Sequence, residues 1–188
     1  MNNYLPTKLI LKLQGLEGQT LEYLCEPQGW TGNFAVDLQV VTTLEIVDIC
    51  LDVELLSFQG YEDEYSIFVS SDADPKKSMR GLKNGHAKFQ LAGEQIRKIW
   101  VIEETVRHLE NGKETWDYIC DVAIVLELET GLIVVSKATH YSELLQVTYT
   151  NSSNIEDYPK TVGFPEGDLI SNNSKEIRKI TLQEAISR

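Results

Sequence analysis

Apolar and polar residues alternate with period two along most of this chain, a pattern that predicts half-buried strands. In Thr7 to Gln14, Leu9, Leu11 and Leu13 oppose Lys8, Lys12 and Gln14, although Ile10 falls on the polar side. Gln19 to Glu26 puts Leu21, Tyr23 and Cys25 on one face, and Gly15-Leu16-Glu17-Gly18 would join the two as a hairpin spanning 7–26. Further on, Ile49, Leu51, Val53 and Leu55 alternate with Asp48, Cys50, Asp52 and Glu54. Val122, Ile124, Leu126 and Leu128 do the same, Gly131 turns the chain, and Leu132 to Val135 resumes as an apolar run. Leu145, Val147 and Tyr149 complete the series with the β-branched and aromatic types that suit a pleated surface.

Helical spacing is scarce. Lys175 to Arg188 is the best helix candidate, with Ser174 as its N-cap, although Ile180, Leu182 and Ile186 also fit a strand face. The expected fold is therefore mainly β: an antiparallel two-sheet sandwich or open barrel of about ten strands with at most one or two short helices. The chain reads as a single β-rich domain over 1–188. The tetrapeptide Ile-Arg-Lys-Ile occurs at Ile96–Ile99 and again at Ile177–Ile180, downstream of the pairs Asp52-Val53 and Asp121-Val122. This suggests an internal duplication with units near 45–106 and 114–186, the surplus length of the second falling in the polar loop Asn151 to Ser174.

Composition changes this picture in one respect, charge. The chain has 188 residues with 17 Lys+Arg against 29 Asp+Glu, a net charge of −12. That balance makes general nucleic-acid binding or attraction to an anionic membrane unfavourable. Lys8 and Lys12 interrupt the one apolar run near the start, so neither a secretory signal nor a membrane span is expected, and a cytoplasmic location follows. Cys25, Cys50 and Cys120 are widely spaced and read as buried structural thiols.

Candidate chemistry is sparse. His86, His108 and His140 lack metal-ligand spacing, and Asp72 with Asp74 opens a calcium-like loop that puts Lys77 and Lys83 where the glycine and the bidentate glutamate belong. No nucleophile elbow or phosphate cradle occurs, so no catalytic residue, metal or cofactor is assigned. Lys76, Lys77, Arg80, Lys83 and Lys88 place five cations in 13 residues, leaving twelve cations against 29 acids elsewhere, a balance of −17. This basic island is a candidate anion or partner site. Glu62, Asp63 and Glu64, at the tip of a hairpin, are a candidate acidic partner surface, and Trp30 in a turn-rich loop is either a plug over a sheet end or an interface anchor.

The function expected from these features is a non-catalytic acidic cytoplasmic protein that binds another protein through a charged surface and long loops. One alternative is a small-molecule-binding or enzymatic β domain whose pocket uses His108, His140 and carboxylates. Another is an oligomeric structural subunit burying a sheet face.

Overall fold

In a computed structural model the chain folds into a two-sheet β sandwich, described for residues 2–27, 29–58, 61–70, 87–88, 93–139, 142–152, 154 and 173–188. Its strands are β1 (Asn2–Asn3), β2 (Thr20–Cys25), β3 (Phe34–Ala35), β4 (Asp37–Thr42), β5 (Ile46–Phe58), β6 (Tyr61–Val69), β7 (Ala87–Lys88), β8 (Glu94–Gln95), β9 (Lys98–Glu110), β10 (Lys113–Glu127), β11 (Leu132–Lys137), β12 (Leu145–Thr150) and β13 (Asn173–Thr181). Two helices accompany them, α1 (Thr7–Leu16) and α2 (Leu182–Ile186). One sheet has the order β13-β9-β10-β11-β12-β3, with β1 added in parallel to β10. The other runs β6-β5-β4-β2-β7, with β8 beside β2.

The core lies between the sheets. Val101, Ile124, Ile133 and Val147 from the first meet Leu38, Val40, Val47 and Ile49 from the second. Ile102, Ala123, Val125 and Val134 form a separate cluster on the opposite face of the first sheet. Both faces of its central strands are thus buried, which departs from the expected alternation and explains the nearly continuous apolar runs at 122–126 and 132–135. A β-bulge between Asp121 and Ala123 takes Val122 off the face of Ile124 and into the second cluster. A similar register shift between Leu21 and Tyr23 buries Leu21 and Leu24 in place of the expected Leu21 and Tyr23.

Two other expectations are corrected. Residues 7–16 are helix, so there is no hairpin over 7–26. Leu9, Ile10, Leu13 and Leu16 are the buried residues, at helical spacing, and Leu11 is 56% exposed. The misplaced Ile10 of the strand reading was the helical signal. Likewise, Lys175 onward is not one helix: β13 continues to Thr181, and only the last turn and a half coils. The N-cap is Thr181, not Ser174. Its hydroxyl accepts from the Glu184 amide, while the Glu184 carboxylate accepts from the Thr181 amide at 2.7 Å, a reciprocal capping box. The two helices pack together and close the sandwich beside β9 and β13 with Leu5, Leu9, Leu13, Leu182 and Ala185.

The two Ile-Arg-Lys-Ile segments enter different structures. The first leads into the start of β9, whereas the second lies within β13, alongside β9 and just before α2. Among the described residues no helix is long and apolar enough to cross a membrane.

Two turns depend on their glycines. Asn111 and Gly112, with φ of 52° and 75°, join β9 to β10 in the left-handed conformation a tight hairpin requires. At Gly131 the neighbours decide: a Cβ there would stand 2.4 Å from the Thr150 carbonyl oxygen and 2.7 Å from the Tyr149 ring. Because the nearest atom is backbone of the paired strand, relief requires β12 to shift. Gly131→Ala is expected to cost about 1–3 kcal/mol, measured by urea denaturation against wild type.

Candidate functional site

Where β11 ends at Lys137, its place beside β10 passes to β1, which pairs Asn2 with Ile119 and Asn3 with Cys120. The bulge at Asp121 sits at this exchange. Asp121 lies directly across from Glu103 on β9, and Glu103 lies across from Arg178 on β13. Two carboxylates facing each other in a buried ladder repel and need cations and donors. Arg188, just beyond α2, supplies them: it donates to both oxygens of Asp121, at 3.0 and 2.9 Å, and to Glu103 Oε2 at 2.5 Å. Arg178 takes the other Glu103 oxygen at 3.0 Å, and the Leu5 amide donates to Asp121 Oδ2 at 2.6 Å. Burial pushes the Asp121 carboxyl above the usual carboxylate range, while Arg188 and the Leu5 amide pull it back. The Arg188 guanidinium also lies 4.2 Å from the centre of the Tyr4 ring.

The neighbouring row points to the opposite face of the sheet. There Glu104, fully buried, pairs with Lys175 at 2.8 Å. Cys120 stands opposite Glu104, and burial pushes its thiol up to about 12. Tyr118, whose phenol is also raised by burial, accepts from Asn3 Nδ2 at 3.3 Å, and the same Asn3 amide reaches the Ser66 carbonyl at 3.0 Å. Lys137 donates to that carbonyl at 2.7 Å and lies over the Phe68 ring at 5.3 Å. Burial lowers its amine, and Cys120, Asp121 and Glu104 only partly offset this.

Past this cluster β9, β10 and β13 continue as a three-stranded arm. One face carries the rows Glu176–Thr105–Ile119 and Ser174–Arg107–Asp117. Together with Tyr4, Glu103, Arg178 and Arg188, several of these line an open cleft of about 240 Å³. Arg107 pairs with Glu176 at 2.8 Å and approaches Glu114 at 3.7 Å. On the other face, nearer the turn, His108 stacks on Trp116 with ring centres 5.4 Å apart and planes 7° from parallel. Its Nδ1 meets Thr115 Oγ1 at 2.7 Å.

Those residues singled out from the sequence that are described lie on different elements. Lys76, Lys77, Arg80 and Lys83 lie outside the described residues, as do Asp72, Asp74, His86 and His140. Lys88 is in β7, paired with Leu24. Glu62, Asp63 and Glu64 lie on β6 just after the β5–β6 turn, opposite Ser57, Leu56 and Leu55. Trp30 packs half-buried against the core. His108 is held by Thr115 and Trp116, not by a carboxylate. Cys25 and Cys120 are buried free thiols, and Cys50 is half-buried. Among the described residues no group of three His, Cys, Asp or Glu is placed to hold a metal ion.

The charged cluster around Asp121 was not picked out from sequence. Its signal was an acid in an otherwise apolar strand, Glu103-Glu104 in β9 and Asp121 in β10, since buried acids need partners. The partners could not be read, because Arg188 is 67 residues from Asp121 and 85 from Glu103.

No protein family matches the chain, and no curated protein or solved structure does either.

Two outcomes follow from these charges. Arg188→Ala leaves Asp121 buried with one backbone donor, and a loss of about 3–5 kcal/mol in denaturant stability is expected. Lys137 should behave in the opposite sense. Its folded amine holds a proton less tightly than the ordinary lysine value of 10.5, so it destabilises below the folded value and ceases to do so as pH rises towards 10.5. Lys137→Met is expected to stabilise by about 1 kcal/mol near neutral pH, a gain that shrinks in melts at about pH 10.

Proposed function

We propose that the protein is a non-catalytic acidic binding protein that engages another protein through the arm of β9, β10 and β13. The observation that supports this reading is the arm's construction. Beyond Asp121↔Glu103 the β9–β10 ladder runs on to Lys113↔Glu110, which is ~23 Å at ~3.3 Å per residue. The half-buried Trp116–His108 stack lies on this stretch, and half-buried aromatics are common energetic centres of protein interfaces. Arg107, Glu110, Lys113, Glu114 and Asp117 give it a charged rim that can orient an encounter.

The buried acids favour binding over catalysis in this reading. Each carboxylate of the Asp121 row already accepts bonds from arginines that hold the sheet together. A cytoplasmic setting belongs to the same proposal and agrees with three cysteines left as thiols.

Site-specific photo-crosslinking in the source cells tests it. A photoreactive side chain at Glu114, on the arm, is compared with one at Leu44, which is 79% exposed in the β4–β5 turn. A discrete heterologous adduct from position 114, absent from 44 and lost with Trp116→Ala, is expected. No adduct above that at 44, or an adduct with a second copy of the chain, would overturn the proposal; the latter would favour a homo-oligomeric subunit.

A further inference from the structure

The cleft at the root of the arm is lined by Arg107, Arg178 and Arg188 against Glu103 and Glu176, with the hydroxyl side chains of Tyr4 and Thr105. Most of these groups serve one another, and what remains unserved defines the cleft. Thr105 is only 7% exposed, yet its hydroxyl has no hydrogen-bond partner among the described residues. A buried hydroxyl left without a partner is costly, so an unserved one at the wall of a cleft marks where a ligand atom would be welcome. The Tyr4 hydroxyl is likewise without a partner among the described residues. Arg178 spends one nitrogen on Glu103, and its side chain is 59% exposed, so most of its five donors face open space.

The register explains why these groups converge. Thr105 lies between Glu103 and Arg107 on one face of β9, and Arg178 is paired to Glu103 on the adjoining β13. Tyr4 enters from the segment after β1 and is held under the Arg188 guanidinium. The spare groups are therefore hydroxyls and a guanidinium, which can all donate to an acceptor.

We infer that this cleft binds a carboxylate. Its lining carries three guanidiniums, but their ion-pair partners Glu103, Glu114, Glu176 and Asp121 number four, a balance that admits a monoanionic group held by the spare donors of Arg178 more readily than a phosphate dianion. A planar carboxylate can take paired bonds from Arg178 while its second lone pairs accept from the Thr105 hydroxyl. The carboxylate can belong to a small acid or to an acidic side chain or terminus of a peptide. This site is independent of whether the arm has a protein partner, and its test reads ligand binding directly.

Titrations of ¹⁵N-labelled protein at constant ionic strength provide that test. The probes are sodium acetate, sodium succinate, inorganic phosphate, an amidated peptide with one internal glutamate, and a glutamate-free peptide with a free terminal carboxylate. Saturable shifts of the Thr105 amide and Arg178 side-chain signals are expected with at least one carboxylate probe. Thr105→Val and Arg178→Gln should each weaken that binding about ten-fold, whereas Arg97→Gln, an exposed arginine elsewhere, should not. Tighter binding by succinate assigns a small acid, and tighter binding by either peptide assigns a protein-borne group. Thr105→Val is nearly isosteric and Arg178 is exposed; if the first variant fails to fold, the second decides alone. Stronger binding of phosphate, binding unchanged in the folded variants, or no saturable shift with any carboxylate would overturn the assignment.

Discussion

The carboxylate of Asp121 is the constraint on which the rest of this structure turns. It is buried at a bulge in the central strand of the larger sheet, opposite a second acid, Glu103. A buried charge without partners costs several kcal/mol, enough to consume much of a domain's stability. The fold answers by bringing two segments distant in sequence to the same point. The Leu5 amide and the Arg188 guanidinium both bond Asp121. Each bond positions a helix: Leu5 lies just before α1, and Arg188 just after α2. Those helices then fill the space beside β9 and β13 with Leu9, Ile10, Leu13, Leu182 and Ala185. Electrostatic pairing thus sets the positions, and hydrophobic burial provides most of the free energy once they are set.

This division of labour explains what was legible in the sequence. Several strands were, because a half-buried ladder writes its period into residues such as Leu145, Val147 and Tyr149, whereas most of β13 fell in the stretch read as a helix. The helices were not, for local reasons. In Leu9-Ile10-Leu11-Lys12-Leu13 the same five residues satisfy an alternating and a helical pattern, and only Ile10 and Leu16 separate them. Near the end, Ser174-Lys175-Glu176-Ile177 imitates a helix start, but the reciprocal cap is Thr181-Leu182-Gln183-Glu184. Strand pairing with β9 from Asn173 to Thr181 decides between them, and that contact is tertiary. The bulge at Asp121 was equally hidden, since a bulge changes which residues share a face without changing their types.

The sequence shows charge only at the scale of linear neighbours. A balance of −12 with one basic stretch drew attention to Lys76 through Lys88, where cations adjoin in sequence. The cations that converge among the described residues are Arg107, Arg178 and Arg188, which are far apart in the chain and adjacent only through the β13–β9 register and the docking of α2. Sequence density of charge reports on linear neighbours. A β sheet assembles its neighbours across strands, about 4.8 Å apart, so cations scattered along a strongly acidic chain can meet at one point.

The same geometry sets the ion pairs of the Asp121 row at the root of the arm. A ladder of apolar pairs alone could have extended β9 and β10, often with no loss of stability, because buried ion pairs are weak stabilisers. Arg178 and Arg188 instead meet on Glu103, which links β13 to β9 and leaves guanidinium donors beside the unserved hydroxyl of Thr105. A ligand held there would contact β9 and β13 at once and would exist only while their register is intact. Binding to the native state alone adds to its stability by mass action, so occupancy of the cleft would firm the base from which the arm projects. Charges that hold the fold at Asp121 would in this way also couple the proposed cleft to the arm, without any group in the cluster having to move.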